Sequence, residues 1–153
     1  MILGIDPGVR KLGYALIDKD LKIVDSGILL QHQKTPTRYD QFERMSQIYD
    51  FFLTMFEQYP IEKVAMEKLF FTKFNQNNAE FVFGIRVLLM LAVKRVEIQE
   101  FTPIELKKFI TGTGKAEKLL VQKTIMKLFR LQEMPEYNDA ADALGLAYLA
   151  NRF

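Results

Sequence analysis

Three short apolar runs occupy the first thirty residues, and the apolar period changes directly after them. Met1 to Asp6 ends at Pro7-Gly8, Gly13 to Asp18 is closed by the turn signal Asp18-Lys19-Asp20, and Leu21 to Leu30 carries Ile23, Val24, Ile28 and Leu29. Short runs parted by turn residues read as an antiparallel meander. From Thr37 to Tyr59 the positions Tyr39, Phe42, Met45, Ile48, Phe52, Met55 and Phe56 recur at steps of three and four, which is the spacing of an amphipathic helix. Ile61 to Glu67 returns to a strand. Because a helix separates it from the third strand, it can re-enter the sheet by a crossover.

Ala79 to Arg95 reads as a second helix and Val96 to Phe101 as a fifth strand. Thr102-Pro103-Ile104-Glu105 combines an N-cap Thr, Pro at N1 and Glu at N3, so a helix starts there and ends at Thr111-Gly112-Thr113-Gly114. Further helices are expected over Lys115 to Leu128 and from Asn138 onward. The order βββαβαβ followed by helices predicts an α/β fold: a five-stranded mixed sheet, three antiparallel strands then two parallel, flanked by helices. With 153 residues, no internal repeat and no linker, residues 1–153 are expected to form a single domain.

Composition narrows the chemistry. There is no cysteine and one histidine, His32, which removes thiolate metal sites, cysteine nucleophiles and most Ser-His-Asp schemes. Metal chemistry would have to run on carboxylate oxygens, which suit magnesium or manganese. The first residues lack a basic segment followed by an apolar run, and the most apolar stretch, Phe81 to Val93, is too short to span a bilayer and is interrupted by Gly84. A cytoplasmic protein with no membrane partner is expected.

The formal charge of +2 is unevenly spread. Residues 1 to 60 hold 7 basic and 8 acidic residues, whereas Thr102 to Arg130 hold Lys107, Lys108, Lys115, Lys118, Lys123, Lys127 and Arg130 against Glu105 and Glu117. A basic region on a balanced protein is either a solvated helix face or the footprint of a polyanion.

Four carboxylates stand apart from these cations in sequence. Asp6 ends the first strand and Glu67 the fourth, so parallel pairing of those strands brings both to the carboxyl edge of the sheet, where open α/β sheets hold their ligands. Asp139 and Asp142 lie at i and i+3, on one face of the last helix. Asp142 falls within a run of Ala and Leu that looks buried. Each acid singly has a plain reading, as a turn former, a strand end or a charge at a helix N-terminus.

Gly4-Ile5-Asp6-Pro7-Gly8, Gly13-Tyr14, Met66-Glu67 followed by Phe70, Lys107-Lys108, Gly114-Lys115-Ala116-Glu117-Lys118 and Asp139-Ala140-Ala141-Asp142-Ala143-Leu144 occur in an order and spacing that resembles the RuvC family of Holliday-junction resolvases over almost the whole chain. The resemblance implies an RNase H-like fold and a magnesium-dependent endonuclease of DNA recombination and repair, acting as a homodimer on four-way junction DNA. It assigns Asp6, Glu67, Asp139 and Asp142 as catalytic, metal-binding residues. Two magnesium ions roughly 3.5 to 4 Å apart would supply a nucleophile from water and relieve charge on the attacking and leaving oxygens, with manganese as the expected substitute. Lys118 is the residue expected to assist with phosphate charge. A branch-migration complex is a further expected partner, and a nucleoid-associated location follows.

Phe70 and Lys73 belong to Lys68-Leu69-Phe70-Phe71-Thr72-Lys73-Phe74, directly after Glu67. Aromatics interleaved with lysines suit unpaired bases and phosphates, each stacked ring contributing about 1 to 3 kcal/mol. By resemblance, Phe70 is a base-stacking wedge. The expected DNA-binding set is Phe70, Lys73, Lys107, Lys108, Lys115 and Lys118. The helix from Phe81 to Val93 is apolar almost all round, so a second subunit or the interior of the monomer must cover it. Three departures from the family pattern are a loop between Phe70 and Gly84 about two residues longer than usual, Ala79 in place of a small hydroxyl residue, and Val87 after Arg86 in place of glycine. They bear on junction geometry and dimer packing and leave the four acids untouched. A YqgF-type nuclease acting on RNA and a junction-binding module without cleavage are the competing readings; an actin-like ATPase would need about twice the length.

Overall fold

The computed structural model describes residues 1–7, 11–30, 38–68, 76–93, 96–133, 135 and 138–153. Strands β1 (Ile2–Asp6), β2 (Lys11–Ile17) and β3 (Ile23–Leu30) form the meander, followed by α1 (Arg38–Gln58), β4 (Lys63–Glu67), α2 (Gln76–Val93), β5 (Glu97–Phe101), α3 (Pro103–Thr111), α4 (Lys118–Leu128) and α5 (Asn138–Ala150). The sheet order is β3-β2-β1-β4-β5. β1 pairs antiparallel with β2 and parallel with β4, and β5 runs parallel to β4 on the far edge. The expected mixed sheet is therefore present in order and direction. At the β2–β3 turn one Asp18 carboxylate oxygen accepts from the Asp20 and Lys22 amides, both at 2.9 Å.

Strand alternation splits the core in two. Leu3, Ile5, Leu12, Leu16, Val64 and Met66 pack against Ile48, Phe52 and Met55 of α1 and Ile85 and Leu89 of α2. Ile2, Ala15, Ile17 and Ala65, on the other face, meet α5 through Ala143, Leu144 and Ala147, with Leu106 and Ile110 of α3 and Val121 and Ile125 of α4 behind them. At about 25 cal/mol per Å² of buried apolar surface, these two layers are the main favourable term for folding.

α5 lies unusually close to the sheet. A side chain on Gly4 would collide with the Ala143 carbonyl and stand 2.8 Å from the Ala147 amide; one on Gly13 would collide with the Asp139 carbonyl and stand 3.0 Å from the Ala140 amide. These two glycines, with the alanines of α5, let backbone rest on backbone. At the other end of α5, the Lys63 ammonium donates to the Ala150 carbonyl at 3.1 Å, satisfying one of the helix's terminal acceptors.

Two expected boundaries move. The helix expected from Lys115 begins at Lys118, because Thr113 Oγ1 accepts from the Lys115 amide and the Ala116 amide donates to the Thr113 carbonyl, which holds the intervening residues in turns. β2 starts at Lys11 rather than Gly13, since the pairing with β3 runs back to Lys11↔Leu30. α3 has the full expected capping box: Thr102 Oγ1 accepts from the Glu105 amide at 3.1 Å and Glu105 accepts from the Thr102 amide at 2.7 Å.

Among its described side chains, α2 buries one side. Ile85, Leu89 and Ala92 face the core, Arg86 pairs with Glu100 of β5 at 3.0 Å, and Val87, Met90 and Leu91 remain 53%, 53% and 59% exposed. Of the two coverings expected for this apolar helix, the monomer interior supplies only half. No helix among the described residues is long and apolar enough to cross a membrane.

Candidate active site

The register of the sheet brings the first two acids together. β1 and β4 pair in parallel through Ile5↔Met66, so Asp6 and Glu67 come next on adjacent strands at the carboxyl edge. Alternation turns both toward the face covered by α5, the face that Ile2 and Ala65 share. Asp6 also stands opposite Gly13 in the β1–β2 ladder. Since the Asp139 backbone rests on Gly13, the first turn of α5 is held beside Asp6, and Asp142 follows on the same helix face.

Electrostatics bear out this proximity. Burial raises the Asp6 carboxyl to about 8, helped by the negative charges of Glu67, Asp142 and Asp139 and opposed by Lys118. Glu67 is pushed up to about 6 by burial and by Asp142 and Asp139, with Lys118 and Lys107 pulling it down. Asp142 is raised to about 6, again by burial first, with Lys118 and Lys107 opposing and Asp139 adding to the rise. Removal from water and mutual repulsion both disfavour the ionised forms. Among the described residues no ion pair relieves any of the four acids.

Lys118 is the first residue of α4 and Lys107 lies on the middle of α3. Both are close enough for their charge to act on Glu67 and Asp142, and Lys118 reaches Asp6 as well. Lys107 was expected only as a DNA contact; its place beside the carboxylates depends on α3 packing against α5 and has no signature in local spacing. Lys108 and Lys115 are exposed. Phe70 and Lys73 lie outside the described residues, as do Phe71, Phe74, His32 and the expected end of α2 at Arg95.

As the side chains stand, no three acidic or histidine groups among the described residues close on a point that would hold a metal ion. The donor set nevertheless fits a small divalent cation. It consists of hard carboxylate oxygens, and its members share one edge, repel one another and are only partly offset by two lysines.

The model of the crossover junction endodeoxyribonuclease RuvC family matches residues 2–149. The chain belongs to the RuvC family. RuvC of Halothermothrix orenii is 35% identical over 152 residues, an overlap covering 96% of this chain and 89% of that one. The Thermus thermophilus RuvC structure superposes with a TM-score of 0.76 at 26% identity, over 95% of this chain and 90% of that chain. The T. thermophilus RuvC bound to a Holliday junction substrate shares the fold with a TM-score of 0.80 at 23% identity, over 95% and 88%. The RNase H-like fold expected from the sequence is thus the fold of this RuvC-family chain.

Proposed function

We propose that this chain is a structure-selective endonuclease that resolves four-way DNA junctions by metal-assisted phosphodiester hydrolysis, cutting as a homodimer. One observation carries the chemistry: Asp6, Glu67 and α5, which bears Asp139 and Asp142, meet at one sheet edge, and three of these carboxyls are driven well above their ordinary acidity range. The names of the relatives support the substrate.

Asp6, Glu67, Asp139 and Asp142 would hold magnesium. When bound, the metal supplies an activated water and relief of charge on the phosphate oxygens. The protein's own groups do the rest. Lys118 and Lys107 bring positive charge to the same edge, where a scissile phosphate would otherwise meet only carboxylates. Lys108 and Lys115, exposed nearby, extend a positive surface along which a DNA backbone runs, and Phe70 and Lys73 in the segment after Glu67 complete the DNA contacts. The open face of α2, with Val87, Met90 and Leu91, is where the second subunit packs. A two-fold dimer supplies two equivalent sites to a junction cut at symmetric positions.

The test offers the protein a four-way junction, a linear duplex and an RNA–DNA hybrid, each with and without magnesium. Paired cuts in the junction alone, and only with magnesium, are expected. Cleavage of the hybrid in preference would favour the RNA-directed reading. Tight junction binding without cleavage in magnesium or manganese would reduce the protein to a binding module.

A further inference from the structure

Gly112 and Gly114 flank Thr113 in one short loop, yet the two positions require glycine for different reasons. Gly112 caps α3 at φ 83°, in the left-handed region, and a side chain there would meet nothing within 4 Å. Gly114 has no such backbone demand; its constraint is space. A Cβ on it would stand 2.8 Å from Cγ2 of Ile104 and 3.5 Å from the Ile104 carbonyl. Ile104 itself is 67% exposed on the first turn of α3, so core packing does not account for an isoleucine there.

Between these points the loop is fastened throughout. Thr111 Oγ1 accepts from the Thr113 amide at 3.4 Å, Thr113 Oγ1 accepts from the Lys115 amide at 3.3 Å, and Ala116 is buried in the α3–α4–α5 core. The loop then delivers Lys118 as the first residue of α4. Glu117 at the N-cap makes no side-chain capping bond, so the start of α4 is set by the loop before it, by the buried Ala116 and Val121 and by the bonds that the Leu120 and Val121 amides donate to the Glu117 carbonyl.

We propose that the seating of Gly114 on Ile104 aims Lys118 at the carboxylates, which makes Gly114 and Ile104 positioning residues for DNA cleavage. This rests on the reading of Lys118 as a charge of the active site. α3 is fixed at its start by the capping box and on its buried side by Leu106 and Ile110. Ile104, though exposed, is β-branched on a helix and so has one strongly preferred χ1 rotamer, which gives the loop that closes on it a preferred place to rest. A displacement of Lys118 on the order of 1 Å is enough to cost up to about 100-fold in rate without touching the chemistry directly.

The experiment measures single-turnover cleavage of a four-way junction in magnesium, junction affinity without metal, and melting temperature. The variants are Gly114→Ala, Ile104→Ala, the pair together, Lys118→Ala, and Lys118→Ala with Gly114→Ala. Gly114→Ala should cleave about 10- to 100-fold more slowly with affinity within about threefold of wild type. Ile104→Ala, which makes room for the new methyl group, should restore the rate of Gly114→Ala to within about threefold. In the Lys118→Ala background, Gly114→Ala should slow cleavage no further, because the two changes act on the same group. If Gly114→Ala alone unfolds, Ile104→Ala must itself be slow and the pair must be faster than it.

A wild-type rate in Gly114→Ala, a slow pair, or full additivity with Lys118→Ala would overturn the proposal. So would a loss confined to affinity. If Lys118→Ala cleaves as fast as wild type, it is the assignment of Lys118 to the site that fails.

Discussion

The backbone carbonyl of Asp139 occupies the space that a side chain on Gly13 would need, one rung across the ladder from Asp6. This contact joins the helix that bears two of the acids to the strand pair that bears a third. Gly13→Ala should force the first turn of α5 off the sheet. Backbone cannot rotate out of the way, so the cost should reach or exceed the about 1 to 3 kcal/mol of ordinary overpacking. At about 2 to 4 °C per kcal/mol the drop is easily read by calorimetry. Gly27→Ala is the control: the atom nearest its added methyl would be the Tyr14 hydroxyl, at 3.2 Å on a side chain. Equal melting temperatures for the two variants would refute the contact.

Stability without metal should fall as pH rises. Asp6, Glu67 and Asp142 hold their protons more tightly in the folded chain than in the unfolded one, so the folded state is favoured most near pH 4 and below. Its advantage should shrink through about 6 for Glu67 and Asp142 and through about 8 for Asp6, then level off. Asp6→Asn should flatten the upper half of this curve, raise stability near pH 8 and abolish cleavage while junction binding persists. Melting curves from pH 4 to 9, with and without magnesium, check it. A metal-free profile that rises across this range, or cleavage retained by Asp6→Asn at saturating magnesium, would contradict the carboxylate cluster.

Junction affinity should depend steeply on salt, with a log–log slope near −0.9 for each phosphate contacted on duplex DNA. Changing Lys108 and Lys115 to Ala together should make that slope shallower by about 2. Titrations between low and moderate salt measure it directly, and an unchanged slope would move the DNA surface elsewhere.

Leu91→Glu puts a charge into the open apolar face of α2 without entering the core. It should leave melting nearly unchanged and convert a dimer into a monomer in sedimentation experiments, with paired cutting lost before single nicking. A variant that sediments as wild type would clear this face of any part in subunit contact.

Phe70→Ala should lower cleavage more than binding, by roughly the 1 to 3 kcal/mol of one stacked base. The loss should shrink on junctions whose central bases are already unpaired. A large fall in melting temperature with equal losses on both substrates would instead make Phe70 a core residue.

Much of this architecture is legible from spacing. The meander, the crossover to β4 and the capping box of α3 each follow from local patterns, and the parallel pairing of β1 with β4 then carries Asp6 and Glu67 to one edge. What spacing hides is depth. Gly4 and Gly13 look like strand glycines until α5 is seen resting on them, and Lys107 looks like any solvent-facing lysine until α3 docks against α5. The start of α4 differs from the one its spacing predicts because Lys115 and Ala116 suit a helix by propensity, while Thr113 offers their amides other partners. α2 was legible as apolar, but which of its sides the monomer covers depends on how α1 lies across the sheet.

Because α5 rests on Gly13 at its first turn and on Gly4 at its middle, and is tied through Lys63 to β4 at its C-terminal end, the acids it carries should open with the sheet rather than on their own. Asp142 should stay in place while the rest persists; amide exchange at Ala143 and Ala147 should proceed only through global opening. Lys118, at the exposed first turn of α4, is held by the short Thr111–Ala116 loop and the first bonds of its own helix rather than by the sheet. Warming should therefore disarm the enzyme in two stages, with cleavage fading as the α4 start loosens while the carboxylate cluster survives until the whole sheet lets go.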